Sequence, residues 1–405
     1  MPLYLAFLLG GVALWVPVEK LFLTQIGFTP ETIGLVAASY AVVVPVLEIP
    51  TGILADRWSR RGVLVIGNIG AFLSVLVGGL STSVLMYLAS SVLLGVFFAM
   101  HSGTFDAIAY DTVVEETGSS DQFETTIGKV KMMESASLVV GGLAGGALAA
   151  ATNPRVAYFA TLPFLAVATL CLLKFREPTL HQAGEPRSVR RHMAVMFGTL
   201  RDNRRLIPIA AVLVITALLT QAVVEFGPLW LIDAKARPGV FGPAWAALMA
   251  ALGLGGYLAG RVRLHTAWSG VTVAVLLLGA SGLLVTAHNV VIVTAAQSCI
   301  LSMAVAITVI LTGQLHDGVA SDVRTGVSSG IGLMTWLLFL PFALAFGTVS
   351  ARLGVHVAGW FLVAAAAGAS VLFMAVTATT RTAEMTGVRG DPLVTQPELA
   401  AALPG

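Results

Sequence analysis

The sequence predicts an all-α membrane protein of twelve transmembrane helices, arranged as two parallel-repeat six-helix bundles. Three observations carry this: the composition, twelve apolar runs of spanning length, and a repeat between the halves. Of 405 residues, 57% are hydrophobic and 11% charged, against about 25% charged in a soluble chain. A water-soluble fold cannot hide that much apolar surface, so lipid is the solvent for much of the chain. The composition excludes a disordered chain, a nucleic-acid binder and a disulfide-built secreted scaffold. The net charge of +2 is uninformative. Cys171 and Cys299 both sit in apolar runs and read as packing residues.

A bilayer core needs about 20 apolar residues per helix. Read between turn signals, the runs fall near 3–26, 31–55, 63–82, 85–110, 127–150, 155–174, 206–231, 242–261, 268–287, 290–314, 325–350 and 355–378. The first run is too long for the apolar core of a cleavable leader. Breaks fall at Gly27-Phe28-Thr29-Pro30, Ser81-Thr82-Ser83, Asn153-Pro154, Arg237-Pro238-Gly239 and His288-Asn289. If the N-terminus is cytoplasmic, eighteen of the 23 Lys and Arg fall on the inner side. Arg155, Lys235, Arg237 and Arg352 fall outside, and Lys20 lies within span one. That asymmetry predicts both termini inside.

The organisation expected is a first bundle over 1–174, a cytoplasmic linker over 175–205, a second bundle over 206–378 and a disordered cytoplasmic tail over 379–405. The linker carries Arg187, Arg190, Arg191, Arg201, Arg204 and Arg205, which suits a helix lying on anionic headgroups. The halves also repeat. Gly52-Ile-Leu-Ala-Asp-Arg57 after span two resembles Gly256-Tyr-Leu-Ala-Gly-Arg261 after span eight. Val18-Glu19 resembles Val224-Glu225, and Asp111 is matched by Asp317 at nearly the same offset. A duplicated six-helix unit with a site between the halves is a transporter architecture.

Gly52-Ile-Leu-Ala-Asp-Arg-Trp-Ser-Arg-Arg61 resembles motif A of the major facilitator superfamily, G-x-L-x-D-R-x-G-R-R/K, between helices two and three. Gly52, Leu54, Asp56, Arg57, Arg60 and Arg61 match, and Ser59 replaces the second glycine. The resemblance implies a gate. Asp56 would face the positive N-terminal end of span eleven, and Arg60 or Arg61 would pair with Asp111 at the inner end of span four. The plainer reading is that these arginines obey the positive-inside rule. Two other family patterns depart. The motif B arginine position is Ser91, so no proton-relay arginine carries over. The glycine-rich span five, Gly141-Gly142-Leu-Ala-Gly145-Gly146, lacks the proline of the antiporter motif, and ordinary close packing accounts for it equally.

Ionisable residues inside spans are functional candidates by default. Glu19 and Lys20 lie in the outer half of span one, about 100° apart on a helix, so at most one should face a given partner. Glu225 is the repeat-equivalent carboxylate of span seven, with Gln221 one turn below. In the family, spans one and seven line the central cavity, so Glu19 and Glu225 would face substrate with Lys20 as counter-ion. The alternative is anchoring near headgroups. In span four, Ser102, Asp106 and Tyr110 form one polar stripe. Asp106 suits proton binding or an ion pair with Lys131, and His101 suits titration or packing. Gln297, Trp15, Trp230 and Trp336 are further contact candidates, although Trp230 also fits an interfacial anchor.

No Walker motif, metal-ligand spacing or cofactor motif occurs, and the seven histidines are scattered along the chain. The expectation is therefore a non-enzymatic, monomeric secondary transporter in the cytoplasmic (inner) membrane. It would need no cofactor or metal, only protons, a small-molecule substrate and the bilayer. Proton-driven export of a hydrophobic or cationic small molecule is the reading carried forward. Import of a small metabolite, or a non-transport enzyme or sensor on the same fold, are the alternatives.

Overall fold

The computed structural model describes residues 2–101, 104, 108, 109, 111, 112, 115, 123–177, 189–261, 267–319 and 324–385. Within these the chain is helical. The first half holds α1 Pro2–Gly10, α2 Glu19–Gln25, α3 Pro30–Arg57, α4 Arg60–Leu80, α5 Val84–His101, α6 Phe123–Ala151 and α7 Pro154–Lys174. After α8, Val189–Asp202, come α9 Leu206–Asp233, α10 Pro238–Arg261, α11 Ala267–Thr286, α12 Val290–Asp317, α13 Arg324–Leu353, α14 Val355–Ala358 and α15 Trp360–Met385. Among the described residues, ten helices are long and apolar enough to cross a bilayer, and Gly270–Thr286 is a shorter apolar helix. Counted with the broken first span, they are consistent with twelve crossings.

The turn signals act as helix starts. Thr29 closes a capping box with Thr32, and Pro30 opens α3. Ser59 caps α4 through the Gly62 amide. Asn153 caps α7 ahead of Pro154, and Asn289 caps α12. Each side-chain oxygen takes up an amide that the first turn leaves without a partner.

Two elements differ from the expected runs. Span one is not one helix: α1 stops at Gly10, a turn follows, and Val16–Val18 form a 3-10 segment before α2. Pro17 has no N–H to continue a helical ladder. The break is accommodated by α6, where a Cβ on Gly145 would collide with the Leu14 carbonyl and one on Gly141 would meet Val12 and Ala13. At the chain end, α15 continues through Met385, past the end of the last apolar run. Residues 386–405 lie outside the described residues.

The two halves meet where α3 packs on α13 and α6 on α10. Gly34 meets the backbone of Ala343 and Gly347, and Gly146 meets Gly242. Small residues at such crossings let backbones touch. Both contacts lie at the end of the bundle away from α8, here called the far face. At the other end, the linker face, α8 packs against α13 with Met196 buried on Gly330.

Candidate functional site

Between the halves lies a cavity of about 450 Å³. Its wall is largely aromatic and apolar, including Trp15, Tyr40, Phe97, Phe98, Trp245 and Trp336. Its polar lining runs from Glu19 and Glu225 toward His101 and Glu134 on the linker side.

The break in span one sets the charged end of this cavity. Glu19 opens α2 directly after the 3-10 segment, and Lys20 follows it. The Lys20 ammonium donates to Glu19 Oε2 at 2.8 Å and to Glu225 Oε1 on α9. Lys20 is 3% exposed. Of the two neighbours, Lys20 alone bonds Glu225 and Glu19 alone bonds Tyr87. The long lysine stem brings its ammonium round to both carboxylates.

Tyrosines hold the remaining carboxylate oxygens. Tyr40 on α3 donates to Glu225 Oε2 at 2.7 Å and accepts from Gln221 Nε2 at 3.1 Å. Tyr87 on α5 donates to Glu19 Oε1 at 2.8 Å. That uses its proton, so the Tyr158 hydroxyl on α7, 2.9 Å away, donates to Tyr87. A chain of seven side chains, buried except for the half-buried Gln221 and Glu19, thus runs from Gln221 through Tyr40, Glu225, Lys20, Glu19 and Tyr87 to Tyr158. It crosses from the second half into the first at the Tyr40 and Lys20 contacts. In their usual ionised forms its charged members carry one excess negative charge. Buried charge survives in such a place only when paired and hydrogen-bonded.

His101 faces the same cavity nearer the linker face. Its Nε2 is 3.3 Å from Asn68 Oδ1, and its ring lies 4.3 Å from that of Phe97. Asp106 and Tyr110 lie outside the described residues. Trp15 and Trp336 line the cavity. Gln297 does not: it is buried against α9 and donates to the Gly227 carbonyl at 3.0 Å. Trp230 is likewise no surface anchor, being 1% exposed with its Nε1 donating to the Leu284 carbonyl.

A second polar cluster stands at the linker face. Arg60 pairs with Asp111. Arg61 donates to the Phe175 carbonyl at 3.0 Å. Glu177, beyond α7, accepts from the Arg60 amide at 2.6 Å and from Ser59 Oγ. A carboxylate there satisfies free amides and faces the positive end of α4. Ser59, the departure from the motif, is thus both cap and Glu177 partner. Gly52, Asp56 and Arg57 fall within α3, but their side chains lie outside the described residues.

Sequence reasoning missed Tyr40, Tyr87, Tyr158 and Glu177. The six tyrosines of the whole chain, all of which fall in the apolar runs, were the available signal.

Fold and site together define a multi-pass helical membrane protein whose two halves enclose a charged, aromatic-walled cavity. The sequence model of the Major Facilitator Superfamily matches residues 2–337, and the chain belongs to that family. It is 26% identical over 176 residues to Multidrug resistance protein 1 of Bacillus subtilis (strain 168), a match covering 44% of this chain and 43% of that protein. The chain thus spans less than half the length of that curated relative. Among solved structures, a mutant of the nucleoside transporter NupG superposes with a TM-score of 0.75 at 13% identity, covering 93% of this chain and 98% of the other. The inward-open xylose transporter XylE from E. coli gives a TM-score of 0.67 at 11% identity, covering 92% and 94%. At such identities these likenesses speak to fold alone.

Proposed function

We propose that the protein is a secondary active transporter that exports a hydrophobic, cationic small molecule in exchange for protons. The observation that carries this is the buried trio of two carboxylates and one ammonium at the end of an aromatic-walled cavity. Its excess negative charge calls for one compensating positive charge, either a proton on a carboxylate or a cationic substrate. Two ligands that neutralise the same charge exclude one another, which is the linkage an antiporter needs. Aromatic rings beside the carboxylates suit an organic cation, through apolar burial and cation–π attraction. The multidrug name of the Bacillus relative supports the same direction.

In this reading the linker face is cytoplasmic, because eighteen of the 23 basic residues belong there. The membrane is the cytoplasmic membrane and the working unit a monomer. The far face is then closed by the Gly34–Gly347 and Gly146–Gly242 contacts, with the cavity on the cytoplasmic side. Transport rocks the halves against each other and remakes the Lys20–Glu225 contact between them. The motif A loop at the linker face gates the cytoplasmic side.

A second reading, import of a hydroxylated solute, is favoured by the serines and tyrosines in the cavity wall. Many of these bind one another instead, as in Ser74–Ser90 and Ser39–Ser91, which leaves less for a solute.

The test is accumulation of fluorescent hydrophobic cations in cells expressing the protein. Lower accumulation that disappears when the proton gradient is collapsed, and in Glu225→Gln, is the expected result. Gradient-driven uptake of a neutral solute would instead support import.

A further inference from the structure

At the far face, three residues distant in the chain come together outside the cavity. Asp233 ends α9, His288 lies between α11 and α12, and His356 sits in α14. Their candidate ligand atoms all lie within 4.8 Å of one another. The local structure explains the meeting. Asn289 caps α12 and orders the turn that holds His288. Gly354, at φ +90°, swings α14 back over the end of α11.

The chemistry of His356 points to a ligand. Its Nδ1 lies 3.0 Å from the Leu284 carbonyl, which can only accept, so Nδ1 carries the proton. Nε2 then points at Asp233 Oδ2, 3.1 Å away. At that distance an electropositive centre, a proton or a metal ion, stands between nitrogen and carboxylate. His288 approaches from the other side, with Nδ1 3.9 Å from the same carboxylate oxygen and its ring 4.2 Å from that of His356. An imidazole whose other nitrogen is tied to a carbonyl is the usual posture of a metal-bound histidine.

We propose that Asp233, His288 and His356 bind a divalent transition-metal cation of the zinc class. Two imidazoles and a carboxylate give three protein ligands, with water completing a tetrahedron. Tetrahedral zinc needs its ligands about 3.3 Å apart, and His288, 72% exposed, is free to close that gap by side-chain rotation. Bound metal would pin the ends of α9, α11 and α14 to one another. The expectation of no metal centre rests on histidine spacing in sequence, and here the fold supplies the proximity.

The test is zinc binding to the full chain, purified in detergent without a histidine tag. Isothermal titration should show one saturable site, Co2+ should give the visible bands of a tetrahedral centre, and zinc should raise the melting temperature. Mg2+, a hard cation that prefers oxygen, should do none of these. His288→Ala changes an exposed side chain and leaves the fold intact. It should weaken zinc binding by about tenfold or more, and His356→Gln should remove it. Zinc binding unchanged in both variants, or no saturable binding to the wild-type protein, would overturn the proposal and leave an imidazolium–carboxylate pair.

Discussion

The cavity trio and the linker-face cluster are built from the same residue types and behave as opposites. Lys20 lies 3% exposed in the bundle interior, and its partners Glu19 and Glu225 come from different halves. Arg60 and Asp111 are 14% and 16% exposed, and both belong to the first half, while Glu177 stands at the start of the linker. The first cluster has more negative than positive groups, joined by a single buried ammonium. The second joins its acids to arginines and to backbone amides. A contact between halves has to change when the halves move, whereas a contact within one half can ride along unchanged. Position relative to the bundle interface, more than the presence of charge, separates the proposed coupling site from a staple.

The largest effect should come from Lys20→Met, which removes the ammonium and leaves two carboxylates facing each other in a buried site. Breaking a buried pair by deleting one partner costs about 3–5 kcal/mol. A large fall in melting temperature in detergent is expected, together with loss of transport. Restoring much of that stability by adding Glu225→Gln would assign the loss to unpaired charge and not to packing. No recovery in the double variant would break the comparison at its centre.

Tyr40→Phe should come next. It removes the hydroxyl between Gln221 and Glu225 while keeping the ring against Trp336 and Phe339. A hydrogen bond to a charged group contributes about 1.5–3 kcal/mol. Because Tyr40 belongs to the first half and Glu225 to the second, the change should also alter the rate of proton-coupled export. A variant with altered stability and unaltered flux would show that this contact does not take part in the cycle.

What was legible in the sequence follows the same division. Caps and breaks are local chemistry, so Thr29-Pro30, Asn153-Pro154 and His288-Asn289 could be read directly. Glu19, Lys20 and Glu225 could be found because charge in an apolar run is rare. That one ammonium serves both carboxylates could not, since it depends on the break after Gly10 and on the bare face of Gly145 that accepts it. Tyr40, Tyr87 and Tyr158 were hidden because tyrosine is at home in an apolar run, and only the fold turns its hydroxyl toward a carboxylate. Glu177 lies in a polar stretch where acids are ordinary, and its role follows from the return of the chain to the start of α4.

Glu177→Ala tests the staple. It takes a carboxylate from the Arg60 amide but leaves the Ser59 cap on Gly62. Loss of a capping side chain costs about 0.5–2 kcal/mol, so a modest drop in melting temperature is expected with cation export retained. Complete loss of export at unchanged stability would move this cluster from staple to moving part.

The smallest effect should come from Asp111→Asn. The substitution keeps the shape and a hydrogen-bond acceptor for Arg60 while removing the charge. The pair is partly open to solvent and lies within one half, so water and the neighbouring polar groups absorb most of the change. A cost of about 1 kcal/mol or less is expected, read as a small shift in melting temperature in detergent. The gating proposed for the motif A loop sets the second readout. If the pair only shapes the loop, export slows slightly and keeps its dependence on the proton gradient. If it is itself broken and remade in each cycle, weakening it changes how long the cytoplasmic side stays closed, and flux shifts far more than stability does. A stability loss as large as that of Lys20→Met would mean that the pair is held as tightly as the cavity trio, and the contrast between the two clusters would then rest on connectivity alone.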